Sequence, residues 1–432
     1  MKKGNKKIKR LGFIGIPAFA LILAFIVLYS GILSGGKFTT VLAKDLMKSI
    51  KEEKVDTVEL KDEFIQSTAD FSVDLFKNAY TKGENSLISP TSVYLALGMT
   101  ANGAKGNTLK EFEELLGKKG LGIQDLNSYY YSLSQRLADV NSGKVGIANS
   151  IWYRDDDSLT VNKDFLQKNA NYYKSAAYKS DFSSKETVTD INNWVKYNTE
   201  GLIDKIIDKI DEDSVMYLIN AVCFEDKWEV LYKKEDIHQG DFRLEDGRSK
   251  KVEFMNSKEN LYIKDDKAQG FIKPYKSGKY SFVAILPNED VTVDSYIASL
   301  SGDRFMKLME GKSNKSVNAA LPKFEASYSI ELKDSLKKLG LNDCFEADKA
   351  DFSDMAKSDF GNIWVASTLH KTFISVDDTG TKAAAVTTVV MVDESALIDE
   401  IYIVLDRPFI YAIIDNETNL PLFIGTMMNP EV

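Results

Sequence analysis

The stretch Asp378-Thr-Gly-Thr-Lys-Ala-Ala-Ala-Val-Thr-Thr-Val-Val-Met-Val-Asp-Glu-Ser-Ala-Leu-Ile-Asp-Glu400 decides how this chain is read. From Ala383 to Val392 it holds no charge, no Gly and no Pro, only small or β-branched residues and one Met. That composition suits a strand, and on an exposed edge it is an aggregation hazard. Yet it begins at a Gly-Thr turn and runs into Asp393, Glu394 and Ser395, which read as loop. A strand that ends in an acidic tip describes a segment with two stations, one outside the body and one within a sheet. Strand alternation puts Thr381, Ala383, Ala385, Thr387, Val389 and Met391 on one uncharged face, with small residues leading, and Lys382 on the other. About fourteen residues at about 3.3 Å each would span roughly 45 Å, enough to cross a domain.

The remainder of the chain sets the frame. Its 432 residues are 44% hydrophobic, enough for a substantial core, and the formal net charge is −9. Lys2, Lys3, Lys6, Lys7, Lys9 and Arg10 put six positive charges in the first ten residues, so the body is more acidic than the total suggests. An acidic body argues against nucleic acid and polyanion cofactors as partners. Residues 11–33 are charge-free and mostly large and apolar, longer than the apolar region of a secretory signal. They match a membrane span, and the flanking positives place residues 1–10 in the cytoplasm and everything beyond Gly36 outside. Val41-Leu-Ala43 offers a cleavage site if the segment is instead a signal. Either way the body is exported. Residues 34–62 read as a juxtamembrane tether with a short amphipathic helix around Ala43–Glu53, and residues 63–432 as one domain.

Within that domain the periodicity predicts helices through Phe64–Ala79, Thr108–Leu116 (capped by Asn107), Gln124–Asp139, Ile191–Val195 and Ile330–Leu339. Strand-like runs cover Tyr217–Phe224, Ser281–Leu286, Lys371–Val376, Ile401–Leu405, Phe409–Ile414 and Leu420–Thr426. Helices crowd the first half and strands the second, which favours an α+β fold. Cys223 reads as a buried small hydrophobe, and spacing alone does not decide whether it pairs with Cys344.

Catalytic signatures are missing. The two histidines are His238 and His370; there is no His-Glu-x-x-His, no Cys/His cluster and no Gly-x-Ser-x-Gly elbow. Gly98–Lys105 misplaces the lysine of a phosphate loop and follows a helical run rather than a strand. His370 precedes a strand and reads as a structural histidine. Nothing points to an enzyme, a metal or a cofactor.

Gly380-Thr-Lys-Ala-Ala-Ala-Val-Thr387 resembles the hinge of the serpins, with Asp377-Asp378-Thr379 standing where that family commonly has glutamates. Asn85–Leu97, Gly103–Thr108, Ile191-Asn-x-Trp194-Val195-x-x-x-Thr199-x-Gly201, Asn220-Ala-Val-Cys-Phe224-x-x-x-Trp228, Leu321-Pro-Lys-Phe324, Leu369-His-Lys371, Arg407-Pro-Phe409 and Phe423–Pro430 are serpin-like as well, in family order. The resemblance implies a large, mainly antiparallel central sheet, smaller sheets, eight or nine helices and an exposed reactive-centre loop. It implies a monomeric inhibitor that an extracellular serine protease, or a cysteine protease, attacks as substrate and that traps the acyl-enzyme by inserting its loop. It assigns Asp378, Gly380, Thr381, Ala383, Ala384 and Ala385 to the hinge, and Ser89, Ser92, Asn220, His370 and Trp228 to the place where the sheet opens. Counting from Gly380 puts the scissile bond at Glu394-Ser395, which suits a glutamyl endopeptidase with a cationic pocket; Met391 or Leu397 would suit an apolar-preferring one. Arg136 is the single base of the helix where polyanion-activated members carry a basic cluster, so no such regulation is implied. A non-inhibitory carrier on the same fold, or a merely anchored adhesion module, are the alternatives.

Overall fold

Alternation along the strands builds the molecule. In the residue run Met216–Lys227 the side chains of Tyr217, Ile219 and Ala221 enter one apolar cluster, while Met216, Leu218, Val222 and Phe224 enter another. A strand buried on both faces needs a layer on each side. The computed structural model describes residues 41–118, 120–138, 144–211, 214–359, 361–381 and 400–430. From Val41 onward the chain forms one unit.

The described strands are β1 (Lys44–Asp45), β2 (Ser86–Ile88), β3 (Lys144–Arg154), β4 (Thr160–Val161), β5 (Ala176–Ser180), β6 (Met216–Lys227), β7 (Ile237–Arg243), β8 (Ser249–Lys264) and β9 (Ala268–Pro274). They continue with β10 (Tyr280–Pro287), β11 (Ser313–Pro322), β12 (Phe324–Glu331), β13 (Ala356–Lys357), β14 (Ser367–Val376), β15 (Gly380–Thr381), β16 (Ile401–Val404), β17 (Phe409–Asp415) and β18 (Pro421–Met427). A seven-stranded sheet runs β1-β5-β3-β6-β15-β14-β12. A nine-stranded sheet runs β16-β11-β8-β9-β10-β17-β18-β2, with β7 on β8. Strands β4 and β13 pair separately.

Nine α-helices lie among the described residues: α1 (Asp62–Ala79), α2 (Pro90–Ala101), α3 (Gly106–Leu116), α4 (Ile123–Ala138), α5 (Lys163–Tyr173), α6 (Lys185–Asn198), α7 (Val293–Ser299), α8 (Gly302–Glu310) and α9 (Lys333–Lys338). Helix α6 covers one face of the first sheet through Ile191, Trp194 and Val195, packed with Trp152, Tyr217 and Ile219. On the other face, α2 is buried along its whole length, hydrophobic all round as a helix inside a core must be.

Several sequence expectations shift. Residues 43–53 form no amphipathic helix: Lys44–Asp45 pair with Tyr178 and Lys179 at the sheet edge, and one 3₁₀ turn follows at Met47–Ser49. The backbone amides of Leu42 and Ala43 donate to Asp190 Oδ2 at 2.8 and 2.7 Å, so tertiary partners override the local period. Leu46 and Ile50 pack against the main core, so the described part of the expected tether lies along the body. The helix expected at Ile330–Leu339 is shorter, because Ile330 and Glu331 pair with His370 and Leu369 in the sheet. Helix α3 begins one residue before Asn107, whose amide instead donates to Asp343 at 2.5 Å. His370 stands inside β14 rather than before it. Cys223 and Cys344 are both buried thiols outside any disulfide. Residues 11–33 lie outside the described residues, among which no helix is long and apolar enough to cross a membrane.

Candidate functional site: the seam between β6 and β14

Strands β6 and β14 run parallel in the middle of the first sheet. Their register is continuous from Ser367 opposite Tyr217 to Phe373 opposite Cys223. Above that point the strands part, and β15 lies between them, antiparallel to both. Thr381 faces Val376 on one side and Asp226 on the other, and Gly380 faces Lys227. The rest of the expected hinge and inserting face, Ala383, Ala384, Ala385, Thr387, Val389 and Met391, lies outside the described residues, as do Glu394, Ser395 and Leu397.

The two seated residues fit closely. A Cβ on Gly380 would sit 2.2 Å from the Asp226 carbonyl oxygen, so this position accepts no side chain without displacement. Thr381 is fully buried, with its hydroxyl 2.7 Å from Tyr275 Oη. Its side chain therefore points to the core. The turn before it is held by Asp377, whose Oδ1 accepts from the Thr379 amide at 2.7 Å and its hydroxyl at 2.6 Å. Asp378 pairs with Lys323 at 2.7 Å. Burial opposes the Asp378 charge, but the Lys323 ammonium outweighs it and holds the carboxyl below its usual range.

Trp228 closes the top of the seam. Its indole N–H donates to the Asp377 carbonyl at 2.8 Å and its backbone N–H to the Thr379 carbonyl at 3.1 Å. The ring stacks on Tyr275 at 4.6 Å and 10°. Beneath it Lys273 and Glu259 form a buried ion pair at 2.8 Å, with the ammonium 4.4 Å from the centre of the Tyr232 ring. A buried pair of this kind tolerates the loss of neither partner.

Halfway down the seam a polar cluster crosses it. His370 and Asn220 are register partners on β14 and β6. The Ser89 amide donates to His370 Nε2 at 3.1 Å, so that nitrogen is the acceptor and the ring proton sits on Nδ1, donating to Asn220 Oδ1 at 2.5 Å. Complete burial pushes the imidazole down to about 3, so it is neutral. The Asn220 amide nitrogen donates to Ser92 Oγ and to Asn149 Oδ1, both at 2.5 Å. Two helix-start serines and three strand side chains thus satisfy each other without a charge, across the line along which the sheet would part.

Ser89, Ser92, Asn220 and His370 converge in one polar cluster. Trp228 lies eight residues beyond Asn220, at the mouth of the seam. Asn149, Tyr275 and Asp226 belong to the seam but carry no motif that spacing alone reveals; Asn149 sits in β3, whose run of Lys144–Arg154 mixes both faces. Lys323 was visible only within Leu321-Pro-Lys-Phe324. No group of His, Cys, Asp and Glu able to hold a metal occurs among the described residues.

Comparison with known proteins agrees with this architecture. The family model described as Serpin (serine protease inhibitor) matches residues 66–430. Human neuroserpin is 29% identical over 381 residues, covering 85% of this chain and 92% of that protein. The native state of the thermophilic serpin tengpin superposes with a TM-score of 0.86 at 50% identity, covering 90% of this chain and 99% of that one. The latent state of tengpin, at 49% identity and covering 87% and 100%, superposes less well, at 0.77. With its central sheet closed along most of a parallel seam and two residues lodged at the mouth, this chain belongs to the serpin family.

Proposed function

We propose that the protein is a suicide-substrate inhibitor of an extracellular serine endopeptidase, cleaved at Glu394-Ser395 and trapping the acyl-enzyme by inserting residues 382 onward between β6 and β14. The observation that carries this is the seam itself. Two parallel strands, once parted, accept one strand antiparallel to both, and β15 already occupies the first two places at the mouth. Each further residue would step one place down both neighbours. Nine places below Val376 is Ser367, the first residue of β14, so residue 390 would face it and Met391 would face Met216 at the start of β6. Residues 382–391 thus match the length of the slot, with Lys382 the one charge among them.

Thr381 points to the core, so alternation turns Ala383, Ala385, Thr387, Val389 and Met391 the same way. The leading residues are small and need little space. Each backbone hydrogen bond contributes roughly 1 kcal/mol net; insertion breaks the one ladder between β6 and β14 and forms a ladder on each side of the new strand, a net gain of about one. That gain drives the movement once the loop is severed. The Glu394 carboxylate needs a specificity pocket offering positive charge or donors, because a desolvated carboxylate without them is costly. The hydropathy of residues 11–33 supports placement on the outer membrane face by an uncleaved anchor.

Incubation with a glutamyl endopeptidase tests the proposal. The expected products are a covalent SDS-resistant complex and a released C-terminal peptide beginning at Ser395. Clean cleavage at that bond with no complex removes the inhibitory reading; a peptide beginning after Met391 or Leu397 moves the bond but keeps the trap.

A further inference from the structure

Asp226 is the charged group that the seam leaves unexplained. It stands on β6 directly opposite Thr381, on the core-facing side, and is 1% exposed. Its Oδ1 accepts from the Lys227 amide at 2.8 Å, while Oδ2 has no hydrogen-bond partner among the described residues. A carboxylate oxygen buried in that way carries a desolvation cost that the neighbouring groups do not fully offset. The residues lying over it are Gly380 and Thr381, packed so tightly that the Gly380 Cα leaves no space for a methyl group above the Asp226 carbonyl.

The other groups that face Asp226 do little to hold its charge. Tyr275, Lys276 and Ser277 approach from the turn between β9 and β10, Tyr280 from β10, and Lys227 adjoins it on β6. Lys276 is exposed, so water screens its ammonium. Burial pushes both tyrosines up, so they stay neutral. Burial also raises the Asp226 carboxyl above its ordinary value, outweighing Ser277, the Lys227 amide and Lys276, which favour the charge.

We propose that Asp226 is a positioning residue whose protonation decides whether the hinge is seated: the neutral acid lies beneath Gly380–Thr381 in the slot, and the carboxylate drives them out toward water. This rests on the reading that the segment after Thr381 moves in and out of the sheet. Hinge seating can be measured in the uncut chain without a protease, so the two ideas fail separately. The sign follows from linkage. With the hinge seated the carboxyl is harder to ionise than with it withdrawn, so seating is complete below the ordinary carboxyl range and weakens as pH rises through the raised value.

The test is hydrogen exchange at the Gly380 and Thr381 amides of the intact full-length protein, corrected for intrinsic exchange, between about pH 4.5 and 8. Protection should fall by about threefold or more toward the alkaline end in the wild type. Asp226→Asn, which keeps the shape without the charge, should show a flat profile at the acid level; Asp226→Ser is the second variant should the amide disturb folding. A flat wild-type profile overturns the proposal without any variant. So does an unchanged pH dependence in Asp226→Asn, since it would then belong to another group such as His370.

Discussion

His370 shows what a single buried side chain contributes to a sheet that opens in the proposed mechanism. Its imidazole is neutral because complete burial lowers its pKa from 6.5 to about 3. Unfolded or parted strands would let it take up a proton below 6.5, so the closed state loses stability as pH falls from about 6.5 toward 3 and keeps it above. At pH 5 the loss is about 2 kcal/mol relative to pH 8. Denaturant unfolding of the intact protein at the two pH values should show that difference, and His370→Asn should remove most of it. An equal pH dependence in the variant would assign the effect elsewhere. Gly380 makes the complementary point: a Cβ there would meet the Asp226 carbonyl oxygen at 2.2 Å, so what matters is its absence.

At the scale of elements, β6 and β14 are unlike ordinary neighbours because their mouth is wedged by a third strand of two residues. Thr381 is fully buried against Tyr275, so Thr381→Arg would place a guanidinium in the core each time the hinge seats. The cost of an unpaired buried charge is several kcal/mol, enough to let hydrolysis of the acyl-enzyme overtake insertion. The proposed inhibitor should become a substrate, with the fraction of protease trapped falling by about tenfold or more while cleavage continues. Normal trapping by this variant would mean that the opposite set of residues faces inward. Element boundaries were legible where one period dominates, as in α1, β10, β17 and β18. They were not where tertiary pairing competes: Lys44–Asp45 joins an edge through Asp190 and β5, and Ile330 joins a sheet through β14. Strand β8 also escapes sequence reading, because its sixteen residues carry charges at exposed positions between the buried Val252, Phe254 and Ile263.

For the molecule as a whole, the proposed mechanism predicts a more hydrogen-bonded fold than one with the seam closed. On that proposal, nicking at Glu394-Ser395 frees the loop to complete the sheet. Roughly ten added strand residues, at about 1 kcal/mol for each net hydrogen bond, should raise the melting temperature by about 10 °C. Calorimetry of intact and nicked protein provides the check. Equal melting temperatures would show that severing the loop releases nothing.

What the amino-acid order determined by itself is the capacity of the segment after Gly380: uncharged on one strand face, small at its leading end, alternating, and long enough to cross a domain. Those properties are local and survive in any conformation. The order of residues also carried the family likeness that grouped Ser89, Ser92, Asn220 and His370. Only the tertiary structure decided that β6 and β14 lie parallel with a gap at one end, that the Thr381 side chain meets Tyr275 in the core, and that one carboxylate oxygen of Asp226 lies without a hydrogen-bond partner opposite it. These depend on residues more than a hundred positions apart being brought into register, and strand pairing at that range follows from the packing of whole layers rather than from any local pattern.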